Sequence, residues 1–439
     1  MAFAALMRLK SMAGQSSLLE APKDGAILYV ASRLPELSET FVYRELLNLR
    51  ARGNRVPVAS IRDPRHFADD PQLASLRTQA NVVYSWATAG ALPFALLRHP
   101  GLFLRAIGDA FRADHARPVD RLKHILQAGM GIGAAWRLRH LGIGHVHAHM
   151  ANTPTMVGLY IARALGARFS FTGHAADLFV QRSALAFKLR QAGFVSCISR
   201  WHRDFYQEVA GIPVSRLPLI RCSVAMPAEV APCDKHEIVT VGRLVNKKGI
   251  DLLLRAFAAL GATDWRLRIL GDGPQRERLE ELAAELGVTE RVSFEGARPH
   301  AVCLAAIAAA GLFVLPCRTT ATGDKDGIPV VLMEAMAAGR AVIAGKLPAI
   351  EELIDDGVSG MLVPGDDVEA LAAAIASLGG DAARRGALGS TARDKVAAEF
   401  SDAINIERLE KAIHGSVDFG SLTRWGDQGV SPADRSRAG

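Results

Sequence analysis

The chain has 439 residues, 49% of them hydrophobic and 22% charged, a globular composition with material for two or three domains rather than one. Its net charge of +7 suits phosphate-bearing ligands or an anionic membrane surface, while the lack of a dense Lys/Arg block interleaved with aromatics argues against a nucleic-acid partner. Five scattered cysteines, Cys197, Cys222, Cys233, Cys303 and Cys317, form no C-x-x-C pair, which argues against a disulfide framework or a zinc knuckle and for a reduced, cytoplasmic compartment.

Residues 1–24 read as an N-terminal extension. Arg8 and Lys10 interrupt its apolar start, so a secretory leader is not expected. Ala26–Ala31 reads as a buried strand and 39–51 as an amphipathic helix. Strands are then expected at 56–61, 81–84, 145–149, Arg168–Thr172 and 194–198, with helices at 154–165 and 201–210. The stretch 92–142 departs from this alternation, being helical, apolar and basic. Its Leu102, Phe103, Ile107 and Phe111, set among Arg98, Arg105 and Arg112, suggest either a peripheral membrane face or a face packed on the first domain. Residues 25–222 thus form a first Rossmann-like domain and 223–235 a linker. A second set of strands follows at Glu237–Val241, Arg266–Leu270, 291–294, Leu312–Leu315, 341–344 and Met361–Val363. Helices between and after them are expected at 250–260, 275–286, His300–Ala309, 330–338, 349–355 and 368–378, giving a second domain over 236–415 and a mobile tail over 416–439. Alternating strands and helices imply parallel sheets covered on both faces, with ligands at the carboxyl ends of the strands.

The strongest local motif is Gly323–Gly339, GDKDGIPVVLMEAMAAG. From Ile328 to Ala338 every residue but Glu334 is apolar. A carboxylate in such a helix must be satisfied by something. It either meets a ligand or pairs with a core Arg or Lys. Asp326 precedes it by eight residues, Pro329 suits a first helical position, and two carboxylates beside free helix N–H groups fit a polyhydroxylated ligand carrying phosphate. In Val241–Asp251, VGRLVNKKGID, Arg243 and Lys248 can clamp a diphosphate, one as a fork and the other as a point charge. Gly271–Pro274, GDGP, is a Gly-rich strand-to-helix turn without the full G-x-G-x-x-G of a nicotinamide site. His174, in TGHAAD, follows a strand and is expected to point into the cleft. In HVHAH, His145, His147 and His149 share one strand face, but no acidic partner motif stands nearby and no metal site is expected. Ser38, in LPELSETFVYRE, can cap the helix that contains Glu45.

Together these motifs, from about Ala26 to about Val363, resemble the retaining glycosyltransferases of GT-B family 4. The SETF opening is similar to the branch found in exopolysaccharide and colanic-acid-type pathways. The resemblance implies an α/β GT-B fold: two Rossmann-like domains whose parallel sheets face each other across a cleft, acceptor domain first and nucleotide-sugar domain second. It implies that Glu334 bonds the donor ribose hydroxyls, and that Asp326 with the Gly327, Ile328, Pro329 and Val330 backbone lies beside the transferred sugar. The family's usual first acid is Glu; here it is Asp326. Gly242, Arg243 and Lys248 would hold the leaving diphosphate, in the role a metal usually has. Gly271 and Gly273 would line the nucleotide pocket, with Arg298 near the base. His174 would contact the sugar, while Ser38, Glu39, Thr40, His149 and Asn152 would face the acceptor. The implied activity is transfer of a sugar from a nucleoside diphosphate donor to a glycan or lipid-linked acceptor, with retention and without a metal or other cofactor. The alternatives are another GT-B enzyme, such as an epimerase or phosphorylase, or a non-catalytic nucleotide-sugar-binding subunit.

Overall fold

A computed structural model describes residues 25–36, 39–64, 71–174, 182–230 and 235–415. The N-terminal extension, Ser38, most of the Asp177-containing end of TGHAAD, Cys233 and the tail 416–439 lie outside the described residues.

Two six-stranded sheets, each wholly parallel, organise the chain. The first contains β1 (Ala26–Ala31), β2 (Val58–Ser60), β3 (Ala80–Val82), β4 (Ile143–His149), β5 (Arg168–Thr172) and β6 (Phe194–Ser196), in the order β3-β2-β1-β4-β5-β6. The second contains β7 (Glu237–Val241), β8 (Arg266–Leu270), β9 (Val292–Gly296), β10 (Leu312–Leu315), β11 (Val342–Gly345) and β12 (Met361–Val363), in the order β12-β11-β10-β7-β8-β9. Both are the same doubly wound topology. The winding reverses between β1 and β4 in one sheet and between β7 and β10 in the other, where open parallel sheets leave a crevice at their carboxyl ends.

The helices are α1 (Thr40–Ala51), α2 (Pro71–Gln79), α3 (Trp86–Arg98), α4 (Pro100–Arg112), α5 (Pro118–Leu138), α6 (Thr153–Leu165), α7 (Leu185–Gln191) and α8 (Arg200–Ala210) around the first sheet. They continue as α9 (Ile250–Ala259), α10 (Arg276–Glu285), α11 (His300–Ala309), α12 (Val330–Ala337), α13 (Val368–Gly379), α14 (Ala382–Glu399) and α15 (Asp402–His414). Every residue of β1 is buried. Leu28 and Val30 join one apolar cluster with Val157 and Ile161 of α6, and Ile27 and Tyr29 join the opposite one with Val42 and Leu46 of α1. That two-sided burial is why the strand reads as a continuous apolar run.

Three features depart from the sequence reading. Residues 349–355 form successive turns rather than a helix: Ile350 and Leu353 donate N–H bonds to carbonyls three residues back. Glu352 is drawn off to the first domain, where it accepts the N–H groups of Arg200 and Trp201 at 2.9 and 3.0 Å and pairs with Arg221 at 2.9 Å. Helix α15, read with the second domain, crosses back: Ile406, Leu409 and Ile413 share a cluster with Val42 and Leu46 of α1. Finally, 92–142 is three helices with Pro100 opening the second, and its large apolar residues divide between the interior and solvent rather than sharing one face. Ala91, Ala95, Ala106 and Ala110 are buried, and α5 presents Gly129, Gly131 and Gly133 to its neighbours. A Cβ on Gly131 would stand 2.7 Å from the Val157 carbonyl, and one on Gly133 2.9 Å from that of Thr88, so only glycine permits this approach. Leu102 and Phe103 pack inward, while Phe94, Leu97, Leu104, Phe111, Leu122 and Leu126 face solvent.

Candidate active site

The second sheet's reversal point sets the loop after β7 beside the loop after β10. The first loop carries Arg243, Lys247 and Lys248, and its return into α9 needs Gly249 at φ +66°, where a Cβ would meet the Pro316 carbonyl at 2.1 Å. Gly271, at φ +142°, lies so close to the Gly242 carbonyl that a Cβ would stand 1.8 Å from it, and a Cβ on Gly273 would stand 2.4 Å from the Leu244 carbonyl. These glycines therefore let the loops after β7 and β8 pack backbone to backbone, a structural need that the GDGP turn alone did not reveal.

Lys248 Nζ lies 2.8 Å from one Asp326 oxygen and Lys247 Nζ lies 3.6 Å from the other. Lys247 also binds Asp324 at 3.2 Å, and the Cys317 thiol donates to Asp326 at 3.3 Å. Burial pushes Asp326 upward, but the two lysines outweigh it and hold the carboxyl below its ordinary value. Burial likewise pulls Lys248 down, and Asp326 more than reverses this, so the ammonium stays charged. Arg243, by contrast, is exposed. Lys247, Asp324 and Cys317 are additions that the Arg243/Lys248 reading missed; only the adjacency of two lysines hinted at one of them.

Glu334 is 8% exposed on α12. His300, at the start of α11, approaches Oε1 at 2.8 Å, and Arg44 of α1 donates to the same oxygen at 3.3 Å across the domain boundary. Arg44 is in turn held by Asp402 at 3.5 Å, and Asp402 by Asn48 and Ser223. Thus the carboxylate does pair with an arginine, but one from the other domain, at the mouth of the cleft. Gly327 also faces the first domain, where a Cβ would lie 3.7 Å from Ile198 and 3.9 Å from His202. Ile328 and Pro329 are buried and Val330 partly so, while Arg298 is exposed and lies 3.7 Å from Glu295.

In the first domain the expected lack of an acidic partner for HVHAH is corrected. Glu45 from α1 meets His149 Nε2 at 3.0 Å and lies 3.9 Å from His147 Nε2. All three groups place a ligand atom within 4.8 Å of one another. Each ligand atom already has a hydrogen bond, however. Tyr29 donates to Glu45 at 2.6 Å, and His147 contacts Ser170 at 2.7 Å and Thr172 at 3.1 Å. His149 Nδ1 and His174 Nε2 lie 3.4 Å apart, and His174 Nδ1 lies 4.0 Å from the Cys222 thiol. Burial pushes His147 down to about 3 and His174 well below its ordinary value. Burial raises Glu45, but the electrostatics and hydrogen bond of His149, the electrostatics of His147 and the Tyr29 hydrogen bond outweigh this and lower it. Phe41 lies on the His174 ring, centroids 4.5 Å apart. Asn152 occupies the N-cap position of α6 without a capping side-chain bond, and Glu39 and Thr40 are partly buried at the start of α1. Ser38, counted with them, lies outside the described residues. Glu45 was visible only as a helix position; what it serves depends on α1 lying against β4.

With this geometry, residues 235–381 match the family described as glycosyl transferases group 1. A solved structure of HepE from Anabaena, in complex with UDP-glucose, superposes with a TM-score of 0.66 at 16% identity, covering 89% of this chain and 99% of that one. The chain has the GT-B fold. Sucrose-phosphate synthase from Thermosynechococcus elongatus has the same architecture, with a TM-score of 0.65 at 19% identity over 88% of this chain and 98% of that one. Among curated relatives, this GT-B chain is 39% identical over 163 residues to a GDP-mannose-dependent alpha-(1-6)-phosphatidylinositol monomannoside mannosyltransferase of Mycolicibacterium smegmatis (36% of this chain, 43% of that one). It is 36% identical over 204 residues to the putative colanic acid biosynthesis glycosyltransferase WcaL of Salmonella typhimurium (44% and 50%). The chain therefore spans half or less of the length of these relatives.

Proposed function

We propose that the protein is a retaining glycosyltransferase of polysaccharide or glycolipid synthesis, moving a sugar from a nucleoside diphosphate to a glycan or lipid-linked acceptor. The observation that carries this reading is the pairing of Lys248 with Asp326 at the reversal point of the second sheet, eight residues before the Glu334 carboxylate, inside the region that matches the glycosyltransferase family. Glu334 would accept the ribose hydroxyls. Arg243 and Lys248 would take the diphosphate, and Asp326 with the backbone of 327–330 would hold the sugar. The bond from the anomeric carbon to the diphosphate oxygen breaks while an acceptor oxygen adds on the same face. The acceptor proton passes to the departing phosphate oxygen, and Arg243 and Lys248 stabilise the charge that gathers there. His174 would orient the sugar; its 3.4 and 4.0 Å contacts are long enough for a hydroxyl to replace at shorter range. No metal is needed in this scheme: the cations answer the phosphate charge, and Asp324 and Asp326, which have metal-triplet spacing, are engaged by Lys247 and Lys248.

The proposed workplace is the cytoplasmic face of a membrane. No described helix is long and apolar enough to cross one. The supporting feature is instead the exposed row Phe94, Leu97, Leu104, Phe111, Leu122 and Leu126 with Arg98, Arg112 and Arg121 among them, an apolar face fringed by cations.

The test is a thermal-shift panel of UDP, GDP, ADP and their sugars, followed by detection of free nucleotide with and without acceptor. A ligand at 100 times its Kd stabilises the protein by about 2.7 kcal/mol. No shift with any nucleotide would sink the reading, and binding without turnover would mark a non-catalytic subunit.

A further inference from the structure

Beside the acceptor-side residues, at the amino end of α6, the first domain holds a cavity of about 460 Å³. Arg117, Lys123, Arg182 and Lys188 line it, against a single lining carboxylate, Asp120. That carboxylate is already neutralised, at 3.2 Å from both Arg117 and Lys123. Lys188 is 3% exposed, and its ammonium donates to the Ala151 carbonyl. A second cavity of about 260 Å³ shares Asn152 and Thr153 with the first and adds Arg33 and Arg62. One wall is held rigid by a polar chain. His115 meets Ser183 at 2.9 Å and His124 at 3.1 Å, His124 meets Tyr160 at 2.9 Å, and Tyr160 donates to Asp109 at 3.1 Å. With Tyr160 donating onward, each neutral imidazole passes its N–H toward Asp109, so the wall adds no positive charge of its own.

A hollow with this excess of cations is built for an anion of more than one charge. Its rim also adjoins the apolar face, because Lys123 lies between the exposed Leu122 and Leu126 on α5. We infer that this cavity is an acceptor subsite that seats the phosphate or diphosphate of a lipid-linked acceptor, with the lipid chain running onto the exposed face of α3, α4 and α5. The inference rests on the glycosyltransferase reading for the word acceptor, but the anion site itself does not. Nothing in the donor loops contributes to it, and the two cavities lie wholly on first-domain residues.

The experiment titrates the full chain with inorganic pyrophosphate while the donor site is saturated with whichever nucleoside diphosphate it binds, and separately with vesicles of phosphatidic acid in phosphatidylcholine. Lys123→Gln with Arg182→Gln removes two exposed rim cations and should leave the fold intact. Wild type should bind both probes, and the double variant should bind each at least about ten-fold more weakly, as expected for losing two charge-assisted contacts. Leu104→Ser with Phe111→Ser should weaken the vesicles alone. Absence of pyrophosphate binding, or binding unchanged in the Lys123/Arg182 variant, overturns the site. Loss of pyrophosphate binding with vesicle binding intact overturns the lipid assignment. Failure of wild type to bind any nucleoside diphosphate would count against the glycosyltransferase reading instead, and the titration is then run without it.

Discussion

Acid should unfold the first domain well before the second. Three histidines of the first domain are buried and neutral: His124 and His202, each pushed down to about 4, and His147, pushed down to about 3, all chiefly by burial. Their unfolded values lie near 6.5. For groups with lowered folded values, the unfolded chain binds more protons than the native one below 6.5. Stability is therefore fully present above that value and is lost as the pH falls toward the folded values. At pH 5 each histidine has lost about 1.5 pH units of this difference, about 2 kcal/mol, and the three together cost about 6 kcal/mol. That is comparable to the whole stability of an ordinary domain. In the second domain the Lys248–Asp326 pair gives no such slope. The lowered Asp326 contributes stability that is present above about 3.8 and lost below it, and the raised Lys248 one that is lost only at strongly alkaline pH. Urea unfolding at pH 7 and pH 5, followed by tryptophan fluorescence, should show one transition weakened by several kcal/mol and a second nearly unmoved. His202→Gln should reduce the loss by about 2 kcal/mol. Equal sensitivity of both transitions, or a change below about 1 kcal/mol in the first, would refute the reasoning.

Other outcomes follow from the cleft. If Glu334 accepts the donor ribose hydroxyls as proposed, Arg44 competes with them, and Arg44→Met should tighten nucleotide binding by about five-fold, about 1 kcal/mol for a partly exposed charged contact; weaker binding by calorimetry would instead make Arg44 part of the nucleotide site. Arg243→Ala should cut turnover about a hundred-fold or more while leaving the melting temperature unchanged, because the side chain is exposed. Lys248→Ala should lose activity and also about 1–3 kcal/mol of stability, since it leaves the buried Asp326 with only the more distant Lys247 and the Cys317 thiol; an unchanged melting temperature would remove the ion pair from the account. Transfer should survive EDTA; loss on chelation with recovery in Mn²⁺ or Mg²⁺ would replace the metal-free scheme.

Much of this was legible in the sequence, because the decisive motifs are local. The GR…KKG and GDGP turns each follow a strand, and the Asp326–Glu334 segment leads from the loop after β10 into α12, so the residues proposed for the donor fall in place once strands alternate with helices. The buried strands read as apolar runs because both faces of each sheet are covered. What sequence could not decide was which distant segments meet. One partner of Glu334, Arg44, lies 290 residues away in the first domain. The carboxylate that orders His149 and His174 comes from a helix 104 residues upstream. Helix α15 has an amphipathic pattern that fits either domain, and only packing against α1 assigns it to the first. On α3, α4 and α5, periodicity identified helices but left open whether their large residues face a membrane or pack on the first domain. The glycines and alanines of α5 bring the backbones close, so that Leu102 and Phe103 pack inward while Phe94, Leu97, Leu104, Phe111, Leu122 and Leu126 are left outside. Local chemistry is written along the chain, whereas charge pairing between domains and the choice of a buried face depend on which surfaces the fold brings together.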